Sequence, residues 1–168
     1  MGMQLIETIE VGSGGAASIE FTGIDQTGVD LLCVFSVRCD NVGVVKNTRL
    51  YFNGQTGGTY PIIYMTGNGS SITAGATAYS FAGRMNGAAS TANTFTSAQA
   101  YIPNYASSGT ITSSIESAAE NNATEGLLFM GVQNETTGGP LTSIKIQTSD
   151  LDTLQQYSTA SIYITTAD

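Results

Sequence analysis

Asp30-Leu31-Leu32-Cys33-Val34-Phe35-Ser36-Val37-Arg38-Cys39-Asp40 alternates along its length. Leu31, Cys33, Phe35, Val37 and Cys39 fall on one side, and Leu32, Val34, Ser36 and Arg38 fall on the other. Period two is the signature of a strand, here with one face more apolar than the other. The same period separates the two cysteines. They share a face but stand about 20 Å apart at a strand's rise, whereas a disulfide needs Cα atoms within roughly 7 Å. Both therefore read as small buried hydrophobes. With no His and two Cys in the chain, a structural zinc site would need unusual carboxylate ligands, and no metal or other cofactor is expected.

Working outward from this strand, the pattern repeats. Glu7–Val11 and Ala17–Phe21 alternate about Gly12-Ser13-Gly14-Gly15, which predicts a hairpin. Arg49-Leu50-Tyr51-Phe52 runs into Asn53-Gly54, the dipeptide whose residues accept positive φ in a tight turn. Tyr60–Met65 reads as an edge strand because Pro61 cannot donate to a ladder. Ser97–Ile102 alternates and stops at Pro103-Asn104. Thr110–Ala119 alternates weakly, and Ile111, Ile115 and Ala119 also fit a helix. Leu127-Leu128-Phe129-Met130-Gly131-Val132 is a continuous apolar run, as in a buried central strand. Ser143–Gln147 and Ala160–Ile164 alternate cleanly. From Gly67 to Thr94, Gly, Ala, Ser and Asn dominate, so this segment is expected to be long and irregular. About eight to ten short strands between turn residues predict an all-β, antiparallel β-sandwich, jelly-roll-like, with that one long irregular segment. Residues 1–168 read as a single domain, since neither a linker nor a repeat divides them.

Composition narrows the function. The chain has 168 residues, 5 basic and 13 acidic, for a net charge of −8, and only 11% of its residues are charged. Arg38, Lys46, Arg49, Arg84 and Lys145 are scattered singly, without the clustering that neutralises phosphates, so nucleic acid is not expected as a partner. No run approaches the roughly 18 apolar residues that span a bilayer, and the N-terminus lacks a basic region and apolar core, so no secretory signal or membrane partner is expected.

No catalytic residues are expected either. The absence of His removes the commonest general base. Lys46 and Lys145 lie outside any Ser-x-x-Lys context. Glu116, Glu120, Glu125, Asp150 and Asp152 could supply a carboxylate pair of the kind glycosidases use, but they read as solvated charges. Asp150-Leu151-Asp152 lacks the spacing of a calcium loop. Gly12–Gly15 is followed by no Lys-Ser/Thr and so is a turn and not a phosphate cradle. Tyr60, Tyr64, Tyr79, Phe81 and Tyr101 lie in or near the irregular middle, where they either anchor an interface or cover the end of the sandwich.

Ile6–Phe21, Leu50–Gly57, Tyr101-Ile102-Pro103-Asn104-Tyr105, Glu120–Thr124 and Gln156–Tyr163 together resemble a family of small virion structural proteins of tailed bacteriophages, of the marine and cyanobacterial phage type. The chain departs from that pattern at Asp25, where Pro is expected, and at Cys39. The resemblance covers nearly the whole chain and implies a protein made in the host cytoplasm that ends on the outer surface of the virion head. Its expected role is that of a capsid decoration (cement) protein, a homotrimer bridging subunits of the major capsid protein. The alternative is a tail fibre or receptor-binding module that holds a host surface glycan. The intersubunit contacts are expected in Met1–Leu5 and Gly67–Thr94, with Met1, Met3, Leu5, Tyr64, Tyr79, Phe81 and Met85 as the contact residues.

Overall fold

The computed structural model describes residues 2–57, 60–122, 125–136 and 138–166, and among these the regular elements are all strands. They are β1 (Gly2–Glu10), β2 (Ile19–Thr22), β3 (Leu31–Val37), β4 (Val45–Phe52), β5 (Ile62–Gly67), β6 (Ile72–Thr77), β7 (Arg84–Asn86), β8 (Thr96–Ile102), β9 (Ile111–Asn121), β10 (Glu125–Glu135), β11 (Ser143–Thr148) and β12 (Thr159–Thr166). One sheet has eight strands in the order β1-β12-β3-β8-β9-β10-β5-β6, and the other has four in the order β2-β11-β4-β7. Every ladder between neighbouring strands is antiparallel. The chain is an all-β antiparallel β-sandwich.

The alternation read from the sequence sets the inner faces. Leu31, Cys33, Phe35 and Val37 of β3 are buried, beside Ala98, Ala100 and Ile102 of β8 and Ala160, Ile162 and Ile164 of β12. The small sheet answers with Ile19, Phe21, Leu50, Phe52, Met85, Ile144 and Ile146, and all of these belong to one apolar cluster. A one-residue slip in β3 would turn Cys33 and Phe35 to solvent and Ser36 inward, so burial fixes the register. Cys33 and Cys39 are both free and buried, as the strand geometry requires. Burial pushes the Cys33 thiol up to about 12.

Several local expectations are corrected. β1 pairs with β12 and β2 with β11, so Gly12–Gly15 is not a hairpin turn. It carries the chain from one sheet to the other, tied to the last loop by Val11 N–H to Ser158 O (2.8 Å) and Ala16 N–H to Leu154 O (3.0 Å). Asn53 and Gly54 do adopt positive φ (52° and 71°), and Gln55 N–H closes the turn on Phe52 O at 3.0 Å. The turn is nevertheless a corner between sheets, because β4 lies in the small sheet and β5 in the large. β5 is not an edge strand. It pairs with β10 on one side and β6 on the other, and Pro61 stands just before the ladder, where its missing N–H costs nothing.

Residues 111–119 form strand rather than helix, since Ile111, Ser113, Ile115, Ser117 and Ala119 are buried in alternation. The expected irregular segment Gly67–Thr94 contains β6 and β7. Its remaining loop is organised by Arg38, whose side chain the alternation placed outside but which is 5% exposed. Arg38 Nε donates to Gln155 Oε1 (3.1 Å), and its Nη1 donates to Ser90 Oγ (2.9 Å), Thr91 O (2.9 Å) and Thr94 O (3.0 Å). Gly87 in this loop comes so close to the Gly43 carbonyl that a Cβ there would lie 2.1 Å from the oxygen. Only glycine permits that approach.

Candidate interaction surface

The four-stranded sheet is half the width of its partner, so part of the large sheet is left without a cover. β6 shows the consequence: none of its residues is buried. Under this overhang Tyr64 packs edge-on to Phe81 (centroids 4.9 Å) and stacks on Phe129 (5.8 Å), while Phe81 and Phe129 are 4.8 Å apart. Two glycines make room for these rings. A Cβ on Gly75 would lie 2.6 Å from the Tyr64 ring, and one on Gly131 would lie 2.8 Å from the ring of Phe129. Aromatic side chains laid over strand glycines restore the apolar cover that glycine lacks.

The outer face of the same strands is apolar. Leu127–Val132 lies in a central strand, as expected, but it is buried on one face only. Phe129 points inward, while Leu128 (55% exposed), Met130 (45%) and Val132 (47%) point out. The register places them in rows with β5 and β6. Val132 is opposite Ile63 and then Ala76, Met130 is opposite Met65 and then Ala74, and Leu128 is opposite Gly67 and then Ile72. Ile63 and Ile72 are 73% and 80% exposed. On the β9 side the rows turn polar with Ser114 and Glu116, the latter accepting a hydrogen bond from Gln99 Nε2 at 3.1 Å. The patch thus runs from that polar border to the open edge of β6. Contiguous exposed apolar surface of this kind marks a contact site or an aggregation liability.

The residues expected at an interface do not form one surface. Met1 lies outside the described residues. Met3 and Leu5 are exposed on β1, at the edge of the large sheet opposite β6. Tyr79 is exposed just after β6. Tyr64 is half-buried in the aromatic group, Phe81 is buried and Met85 is fully enclosed, so these three are core residues with little or no surface to offer. The exposed rows of Ile63, Met65, Ile72, Leu128, Met130 and Val132 are not among the residues the sequence singled out. The available signal was the continuity of the apolar runs Ile62–Met65 and Leu127–Val132, which loads both faces of a strand when only one has a partner sheet.

The carboxylates serve their neighbours. Glu120 accepts hydrogen bonds from Thr91 N–H (3.1 Å) and Oγ–H (2.7 Å), and Asp152 accepts from Asn41 Nδ2 at 3.1 Å. Lys46 donates to Asp150 and by that bond holds its carboxyl below the ordinary range. A cleft of about 260 Å³ lies beneath the overhang, between the β5–β6 hairpin and the edge of β4 and β7, and Asn68, Thr73, Arg84, Ser117 and Phe129 are among its lining residues. Ser117 Oγ is buried there without a hydrogen-bond partner.

Comparison with family models, with curated proteins and with solved structures returns no match for this chain.

Proposed function

We propose that this protein is a structural component of a bacteriophage virion, a decoration protein that stabilises the head by bridging subunits of the major capsid protein. One observation carries the reading: a broad apolar face on β10, β5 and β6 that is turned away from the protein's own second sheet and stands exposed. Burying apolar surface is worth roughly 25 cal/mol per Å², and a protein that works by adhesion needs such a face more than it needs reactive groups. The resemblance of Ile6–Phe21 and the other quoted segments to phage virion proteins supplies the partner. Repetition of one weak contact over a symmetric shell would supply the strength.

The test has two arms. Densitometry of purified virions should give hundreds of copies per particle, whereas a copy number of six to a few dozen assigns the protein to the tail. Heads stripped of the protein should rebind the wild type, while Ile63→Glu with Met130→Glu should rebind at least tenfold more weakly. A double variant that rebinds like the wild type removes the patch from the contact. The tail reading, a module holding a host glycan, draws on the cleft beneath the β5–β6 hairpin, where Asn68, Thr73 and Arg84 could meet sugar hydroxyls.

A further inference from the structure

The two edges of the eight-stranded sheet are unlike. β1 carries Glu7 and Glu10, and its register shifts between Leu5 and Glu7, which are the usual devices that keep a sheet edge from pairing with another chain. β6 has neither. Its ladder with β5 runs without a break from Ile72 to Thr77, no charged residue occurs anywhere from Leu50 to Gly83, and no proline lies within the strand.

The alternation of antiparallel bonding shows which backbone groups are open. Asn68 N–H donates to Ser71 O at 3.2 Å across the β5–β6 turn, making that a hydrogen-bonded pair. Counting along the register, Thr73, Gly75 and Thr77 also direct their N–H and C=O groups to β5. Ile72, Ala74 and Ala76 direct theirs away from it, into solvent. These outward groups form a template for one more strand.

The sequence of β6 indicates which strand. Thr73-Ala74-Gly75-Ala76-Thr77 reads the same in both directions. A two-fold antiparallel pairing centred on Gly75 sets Ala74 of each copy against Ala76 of the other and Thr73 against Thr77. The outward groups of Ala74 and Ala76 are then the ones that form hydrogen-bonded pairs. Such an interface is isologous, with the same patch on both copies. It also brings together the uncharged regions of two molecules whose net charge of −8 repels everywhere else. With its axis perpendicular to the sheet, the pairing keeps both apolar outer faces on one side.

We infer that the β6 edge is a self-association site, at which two copies of this chain join their eight-stranded sheets into one. The inference concerns the isolated protein and does not depend on the virion reading.

Sedimentation across a dilution series of the purified chain tests it. The wild type should be dimeric. Ala74→Lys with Ala76→Lys places Lys against Lys twice across the two-fold axis, and should weaken the dimer by about 100-fold. Ala74→Lys with Ala76→Glu places Lys against Glu twice, and should restore it. Within one molecule both variants put two charged side chains on the same positions of an exposed strand, so a difference between them reports the pairing and not the folding of β6. A wild type that is monomeric overturns the inference. So does a trimer, because three-fold closure needs a heterologous contact that a self-complementary strand does not provide. Equal behaviour of the two variants overturns it as well.

Discussion

Tyr60 shows how one side chain can define a corner of a sandwich. The chain leaves β4 at Phe52, turns at Asn53-Gly54 and enters the opposite sheet at Ile62. Tyr60 is fully buried, and its hydroxyl accepts from Phe52 N–H (2.7 Å) while lying 3.0 Å from both Phe52 O and Gln55 O. Replacing Tyr60 by Phe leaves those backbone groups buried without the hydroxyl, so urea unfolding of Tyr60→Phe should show a loss of about 1–3 kcal/mol. Burial also raises the phenol well above its ordinary value of 10.0. A folded-state value above the unfolded one stabilises the native state fully below pH 10, and that contribution fades as pH rises from there toward the folded value. The gap between wild type and Tyr60→Phe should therefore narrow by about 1 kcal/mol between pH 9 and pH 11. A gap that holds constant would mean that Tyr60 is not the group being titrated. The cysteines follow simpler logic: geometry excluded the disulfide from the sequence alone, and burial of both thiols agrees.

Among the elements, legibility followed the number of buried faces. β3, β8, β11 and β12 each pack one face on the core, so period two stood out in their residues and the structure places them as strands. β9 is ambiguous because serines occupy two of its five buried inward positions. Ser113 and Ser117 are as buried as the isoleucines beside them, and a polar residue at an inward position blurs the pattern that distinguishes strand from helix. The segment 67–94 was illegible for another reason. Beyond β6 and β7, its loop takes its order from a distant residue, Arg38, which reaches Ser90, Thr91 and Thr94 from the end of β3. A guanidinium has five donors in a fixed fork, and here they meet the carbonyls and hydroxyls of a loop that has few apolar side chains to hold it. Arg38→Met should keep the volume while leaving those acceptors unpaired. Hydrogen exchange of residues 87–94 should accelerate at least tenfold, with β8 and β12 unchanged. Uniform acceleration over the whole chain would instead make Arg38 a global stabiliser, and no acceleration would show that the loop holds itself.

The whole molecule is divided into a charged part and an uncharged part, and that division governs how it meets a second copy of itself. The strand count and the inward faces say how the sheets close and not that one is twice as wide as the other. That mismatch of eight strands against four leaves the β5–β6 end of the large sheet projecting past the small one, and it follows from where each connection crosses, a long-range property. The charges do leave a trace, since none appears from Leu50 to Gly83 and the net charge of −8 is carried by the rest. Two copies meeting through β6 therefore form backbone hydrogen bonds and bury small side chains while their charged parts repel from a distance. Salt screens repulsion beyond a Debye length, about 10 Å at 0.1 M, and hardly touches a neutral contact. Raising sodium chloride from about 0.05 to 0.5 M should thus tighten the dimer several-fold, a direction opposite to that of an interface built on ion pairs. Sedimentation at the two salt concentrations reads the sign directly, and weakening by salt would place the contact on a charged surface, away from the β5–β6 hairpin.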